Sequence, residues 1–107
     1  MKELKNFVKN GFHYEQIKRV GNLAIYKQRL EEGRGCLAYE VIYIRRRAET
    51  KLFNNIMPAA EYGPSNEEIG RFGWSYPTLE LAQKKLDFLI ETRYFEENDK
   101  RNEKIQG

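Results

Sequence analysis

Residues 14–30 read YEQIKRVGNLAIYKQRL, and this stretch decides the fold. Two extended runs, Tyr14–Val20 and Leu23–Leu30, are separated only by Gly21-Asn22. Two turn-forming residues between such runs predict a tight β-hairpin. A two-residue turn also fixes the register. The predicted pairs are Val20 with Leu23, Lys18 with Ile25, and Gln16 with Lys27.

A third strand follows the break at residues 31–35. The run from Cys36 to Ile44 predicts a strand because β-branched and aromatic residues dominate its second half. If Leu30 faces Cys36 across the loop, the register pairs Lys27 with Tyr39 and Ile25 with Val41. The three strands then form an antiparallel meander. Residues 72–76, FGWSY, are predicted to add a short fourth strand.

The clearest helix is predicted over residues 79–95, with Thr78 as its N-cap. Its apolar stripe, which would cover one face of the sheet, consists of Leu79, Ala82, Leu86, Leu89 and Ile90. A capping box from Ser65 to Glu68 predicts one helical turn between the sheet and this helix.

A short N-terminal helix is predicted over residues 2–10. Leu4, Phe7 and Val8 have helical spacing, and Gly11 is placed to end the helix. The fold class is therefore α+β: a three- to four-stranded antiparallel meander packed by a long C-terminal helix, with a short N-terminal helix. We expect a single domain over residues 1–95 and a charged, frayed tail over residues 96–107.

The composition constrains the class of protein. Charged residues make up 33% and aromatic residues 13% of the 107 residues, which is typical of a folded chain. No apolar run has the length of a membrane span, and the N-terminus lacks the apolar stretch of a secretory signal. The only cysteine, Cys36, excludes an internal disulfide framework. We therefore expect a cytoplasmic protein without a membrane partner.

Side-chain alternation along the predicted strands suggests a nucleic-acid-binding surface. It places basic and aromatic residues on one face: Tyr14, Lys18, Lys27, Arg29, Tyr39, Tyr43 and Arg45. If the helix covers the opposite face, this face is open, and single-stranded nucleic acid could stack bases on the tyrosines and place phosphates on the cations. If the helix covers this face, the tyrosines are core. The sequence leaves both alternatives open.

The net charge is +3, and the positive charge is concentrated in the first half of the chain. This charge is compatible with an anionic partner but does not require one. A second hypothesis is therefore a protein-binding inhibitor or adaptor, for example one that acts on a host defence or replication protein. Tyr62, Trp74 and the long loop over residues 48–63 are its candidate anchors. An exposed edge strand would also permit a homodimer.

Catalytic and metal-binding motifs are not recognisable in the sequence. His13 is the only histidine, and Cys36 has no partner at metal-ligand spacing. Cys36 begins a strand, so we predict that it is a small buried hydrophobe. The carboxylates follow no acid/base pattern. The interpretation is a binding module that is not an enzyme and holds no metal or cofactor.

One resemblance adds context. The segments AIY at 24–26, YEVI at 39–42, PSNE at 64–67, FGWSY at 72–76 and LELA at 79–82 resemble, in this order, small proteins of bacteriophages and bacterial mobile elements. The resemblance covers residues 12–95. It implies a compact accessory protein that works by contact, and it carries over no functional residue because those proteins have no assigned activity.

Overall fold

A computed structural model describes residues 1–30 and 35–105 of the chain; residues 31–34 of the predicted break and the last two residues of the predicted tail lie outside these ranges. The elements described are β1 (Phe7–Lys9), β2 (Phe12–Val20), β3 (Leu23–Leu30), β4 (Ala38–Tyr43), β5 (Arg45–Arg47), β6 (Thr50–Leu52), β7 (Asn55–Met57), β8 (Ala60–Tyr62), a 3₁₀ turn (Asn66–Glu68), β9 (Gly73–Tyr76), α1 (Leu79–Glu91) and α2 (Glu96–Lys104).

The main sheet is antiparallel, with five strands in the order β1-β2-β3-β4-β9. The α+β class and the meander are confirmed, and the predicted fourth strand is β9. The predicted register is confirmed next to the Gly21-Asn22 turn and between β3 and β4. The confirmed pairs are Val20 with Leu23, Lys18 with Ile25, Lys27 with Tyr39, and Ile25 with Val41.

A bulge between Gln16 and Lys18 makes the outer half of the predicted β2–β3 register wrong. Gln16 pairs with Tyr26 instead of Lys27, and Lys27 pairs with Glu15. The extra residue in a bulge reverses the alternation of side chains beyond it. Tyr14 therefore lies on the sheet face opposite to Lys18, which the hairpin turn alone does not predict.

The predicted N-terminal helix is wrong, because this segment forms β1. Asn10 and Gly11 both have positive φ, at 54° and 81°. Such a pair favours the tight turn of a β-hairpin, and it returns the chain so that Phe7 pairs with Tyr14. Gly11 thus terminates a strand, although its position also suits a helix C-terminus.

Helix α1 buries Ala82, Leu86 and Leu89 against the sheet, as the predicted stripe requires. The Thr78 hydroxyl accepts a hydrogen bond from the Leu81 amide at 3.2 Å, so the predicted N-cap is present. The helix is shorter than predicted and ends at Glu91. Leu79 and Ile90, at the ends of the stripe, are each 41% exposed. No helix among the described residues has the length and apolar character needed to cross a membrane.

The core under α1 is apolar and aromatic. The rings of Tyr43 and Phe95 stack with centroids 4.1 Å apart, and Phe72 packs beside both. Leu23, Ile25 and Val41 complete this side of the sheet. The helix therefore covers the face that contains Ile25 and Val41, and this decides between the two alternatives that the sequence leaves open.

The predicted frayed tail is wrong for residues 96–104, which form α2. Its one buried side chain, Asn102, donates from Nδ2 to the Ile44 carbonyl at 2.9 Å and accepts from the Arg46 amide at 3.1 Å. The Tyr43 hydroxyl donates to Asp99 at 2.8 Å. The side chains of Asp99 and Asn102 thus provide hydrogen-bond partners for the hydroxyl of Tyr43 and for the backbone of Ile44 and Arg46. Helix α2 therefore packs without an apolar stripe.

The opposite face of the sheet is covered by the N-terminal segment and held by a buried carboxylate. Glu61 on β8 accepts two bonds from Arg19, at 2.7 and 2.8 Å, and one from the Leu4 amide at 2.9 Å. Arg46 lies 3.5 Å from the same carboxylate. The hydrogen bonds from Arg19 are the main cause that lowers the pKa of Glu61 to about 2. This ion pair joins β2, β5, β8 and the N-terminus.

Candidate functional site

The predicted nucleic-acid residues do not share an open sheet face. Tyr43 is 0% exposed beneath α1 and α2, so its prediction as a surface stacking platform is wrong. Tyr39 is part-buried against the same core. The physical reason is that the apolar stripe of α1 packs against an apolar surface, and Leu23, Ile25 and Val41 of β3 and β4 provide that surface on this face.

Tyr14 also does not lie with the other predicted nucleic-acid-binding residues. The bulge turns it to the other face, where it is buried; its ring stacks on Phe7 with centroids 4.8 Å apart. Its hydroxyl accepts from Gln28 at 2.9 Å. Burial raises the pKa of Tyr14 above its usual value. Its placement on a face with Lys18 and Tyr39 is therefore wrong.

The predicted basic residues remain accessible in part, but several are paired within the chain. Lys18 is exposed and donates to Gln83 of α1 at 3.4 Å. Arg29 lies 3.1 Å from the Glu15 carboxylate, and Lys27 is part-exposed beside it in β3. Arg45 forms an ion pair with Glu68. These cations do not form a continuous surface with the tyrosines.

The two predicted protein-binding anchors differ in exposure. Trp74 packs partly against the core under α1, with the Lys85 ammonium 4.4 Å from the centroid of its ring and Tyr94 edge-on at 6.0 Å. Tyr62 is 37% exposed on β8. Tyr62 is thus available to a partner, whereas most of Trp74 serves packing.

The long loop predicted over residues 48–63 is a β-structure. Strands β5 and β8 pair at its base, and β6 and β7 form a hairpin beyond them. We call residues 50–57 the apolar finger, because all of its strand residues are exposed and four large apolar side chains lie on it. Their exposed fractions are 51% for Leu52, 90% for Phe53, 60% for Ile56 and 37% for Met57.

Phe53 occupies the turn of the apolar finger in an unusual backbone conformation. Its φ of 50° lies in the left-handed region, where a bulky residue costs about 1–2 kcal/mol relative to a right-handed one. Glycine and asparagine are the residues that stabilise such turns. The stability of the hairpin therefore does not explain why a phenylalanine stands at its tip.

The sequence contains a signal for the finger that our prediction did not use. Asn54-Asn55 are turn-forming residues placed between Leu52-Phe53 and Ile56-Met57. The apolar runs are only two residues long, which is too short to show the period of a strand.

A separate apolar cleft of about 500 Å³ opens on the face opposite α1. Phe7, Tyr14, Ile42 and Tyr62 are among its lining residues. Glu40 also lines the cleft; burial raises the pKa of its carboxyl group, and the positive charge of Lys9 opposes that rise. The cleft can accept an apolar group that carries a positively charged end.

Cys36 is exposed, so its prediction as a buried hydrophobe is wrong; it lies in the loop before β4, outside the core. Across residues 1–30 and 35–105, histidine, cysteine, aspartate and glutamate side chains form no group of three that could hold a metal ion.

Comparisons with known proteins add no relative. No protein-family model, no curated protein and no solved structure matches the chain.

Proposed function

We propose that this protein is a non-catalytic binding module that contacts a partner protein through the apolar finger. The observation that carries the proposal is the tip residue Phe53, whose side chain is 90% exposed. Clustered apolar side chains on a surface are typical of protein–protein contacts. The register of β6 and β7 places Leu52 and Met57 on one face of the apolar finger and Ile56 on the other. Aromatic rings are frequent anchors there, because one ring fills a pocket at a small entropic cost.

The backbone at the tip supports the same proposal. A phenylalanine with a φ of 50° weakens the hairpin relative to asparagine or glycine. Residues kept in such conformations are concentrated at ligand-binding and switch regions. The partner that fits this finger has an apolar pocket wide enough for one aromatic ring, with apolar walls for Leu52 and Ile56.

The biological setting that we propose is an accessory protein of a phage or mobile element, working in the cytoplasm. In that setting the finger would inhibit or recruit a host defence or replication protein. The setting follows from the sequence resemblance, whereas the finger follows from the geometry, so each can fail without the other.

The decisive substitution is Phe53→Asn. Asparagine suits the left-handed conformation, so we expect the fold to keep its stability while partner binding falls at least tenfold, the loss of one buried aromatic anchor. The measurement is affinity capture from an extract of the natural host, with each captured protein then titrated against the purified chain. A partner that binds the wild type and the variant equally would contradict the proposal.

Phe88→Gln is the matched control. Phe88 is an exposed phenylalanine on α1, 49% accessible, and glutamine preserves helix propensity. It removes an exposed aromatic ring from a different surface. A partner bound through the apolar finger keeps its affinity for this variant.

Single-stranded nucleic acid is the second candidate, favoured by the accessible cations Lys18, Lys27 and Arg29 on β2 and β3. Fluorescence anisotropy with labelled DNA and RNA oligonucleotides at two salt concentrations separates the candidates. Micromolar binding that weakens steeply with salt and survives Phe53→Asn would support the nucleic-acid function. Absence of binding at low salt would exclude it.

A further inference from the structure

A small pocket beside α2 is lined by an unusual concentration of arginines. Its volume is about 270 Å³, and its cationic lining residues are Arg45, Arg46, Arg71 and Arg101. Four guanidinium groups around one pocket repel one another unless anions are close. The distribution of the available anions therefore decides what the pocket can bind.

Two of the four arginines have a carboxylate partner within the chain, although Arg46 shares its partner with Arg19. Arg45 forms an ion pair with Glu68, and Arg46 lies 3.5 Å from the buried Glu61 carboxylate. Arg71 and Arg101 are exposed, and neither has a carboxylate within 4 Å in the described part of the chain. Two uncompensated positive charges thus lie at one pocket.

A buried donor beside the pocket also lacks an acceptor. The Nε–H group of Arg45 is buried and has no hydrogen-bond partner among residues 1–30 and 35–105. Buried polar groups are normally satisfied, and an exception needs a reason. An anionic oxygen bound in the pocket could supply this acceptor.

The remaining lining residues provide orientation. Helix α2 contributes Asn98 and Arg101, which are three residues apart on one face, and the buried Asn102 beside them. The ring of Tyr62 forms part of the wall. The Arg45 guanidinium is held above Phe72, 4.2 Å from the ring centroid, so its position is fixed by packing. The site is partly preorganised.

We propose that this arginine pocket binds a phosphomonoester, with the phosphate on Arg71 and Arg101 and the organic part against Tyr62. Arginine is suited to phosphate because its planar fork can bind two oxygens at once. A monoester carries nearly two negative charges at neutral pH, which matches two uncompensated cations. A backbone phosphodiester carries one charge, so single-stranded nucleic acid is the poorer match.

The test is isothermal titration of the full-length protein with phenyl phosphate and inorganic phosphate at constant ionic strength and pH 7.5. We expect saturable binding, with phenyl phosphate the tighter ligand because its ring contacts Tyr62. Arg71→Gln and Arg101→Gln should each weaken it about tenfold, the loss of one charge-assisted contact. Arg93→Gln, an exposed arginine outside the pocket, should leave it unchanged.

Three outcomes would overturn the proposal. One is no heat of binding with either phosphate up to millimolar concentration. Another is binding that Arg93→Gln reduces as much as Arg101→Gln does, which would indicate a diffuse charge effect. The third is binding of an oligonucleotide that lacks a terminal phosphate without binding of phenyl phosphate. Phe53→Asn leaves the pocket intact, so failure here is distinguishable from failure of the apolar finger.

Discussion

The two helices are held to the rest of the fold by different interactions. Helix α1 has an amphipathic sequence, and its buried side chains Ala82, Leu86 and Leu89 are apolar. Helix α2 reads EENDKRNEK and buries one side chain, the amide of Asn102. The first is stabilised by removing apolar surface from water, the second by specific hydrogen bonds. A polar segment can therefore be an ordered part of a small fold when it completes the hydrogen bonds of a strand end.

The largest expected effect is on the apolar side of this comparison. Leu86→Ala removes a side chain that is 0% exposed in the centre of the α1 contact. We expect the free energy of unfolding to fall by about 3–4 kcal/mol, from lost burial and the cavity left behind. Urea denaturation followed by the fluorescence of Trp74 measures it. Leu81→Ala, at a position 41% exposed, should cost less than about 1 kcal/mol; equal costs would show that α1 packs differently.

The next effect tests the polar side. Asn102→Ala leaves the Ile44 carbonyl and the Arg46 amide without their partners, so we expect a loss of about 2 kcal/mol. The loss should appear as faster amide hydrogen exchange in α2 while α1 stays protected. Lys100→Ala, exposed on the same helix, is the control. If both variants exchange alike, Asn102 does not anchor α2.

Alkaline pH should destabilise the fold through Tyr43, whose hydroxyl contacts α2. Burial, followed by the hydrogen bond to Asp99, raises the pKa of Tyr43 well above the value of about 10 in an unfolded chain. The folded state then holds the phenolic proton more tightly, so its contribution is complete below pH 10 and is lost as pH rises towards the folded pKa.

At pH 11 this linkage costs about 1.4 kcal/mol, one pKa unit. The measurement combines phenolate absorbance with urea denaturation at pH 9 and pH 11. Tyr43→Phe should remove this part of the pH dependence. A variant with the wild-type dependence would show that another group is responsible.

The smallest effect concerns a feature visible in the sequence. Thr78→Ala removes the N-cap oxygen that accepts from the Leu81 amide, at a cost of about 1 kcal/mol. Thr78→Ser keeps the oxygen and should restore most of the stability. Thermal unfolding monitored by circular dichroism compares them. Equal melting temperatures for the serine and alanine variants would rule out a capping role.

Tertiary contacts determined the secondary structure and the side-chain orientation wherever the local sequence signals were ambiguous. Gly11 fits the end of a helix and the turn of a hairpin, and β1 became a strand because Phe7 could pair with Tyr14. The β-bulge near Ile17 has no local signal in the sequence, yet it moved Tyr14 to the other face. The bulge, together with the burial of Tyr39 and Tyr43 under α1, is why the predicted basic and aromatic face does not exist as one surface.

The candidate surfaces could be predicted only in part. The loop over residues 48–63 and Tyr62 were predicted as binding elements, and the loop contains the apolar finger. The finger itself, the hairpin of β6 and β7, was not predicted, because its apolar runs are too short to show the period of a strand. The arginine pocket could not be predicted, because Arg45, Arg71 and Arg101 come from three separate parts of the chain that meet only when α2 packs.

What the sequence determined by itself is the part of the fold with a regular period or a short turn. The Gly21-Asn22 hairpin, the strands on either side of it, and the start and apolar stripe of α1 belong to this part, because a few neighbouring residues specify them. Only the tertiary structure decided which sheet face α1 covers, how Asn102 anchors α2, and where the exposed aromatic and arginine side chains gather. Those outcomes depend on the summed burial and hydrogen bonding of distant segments, which no local pattern contains.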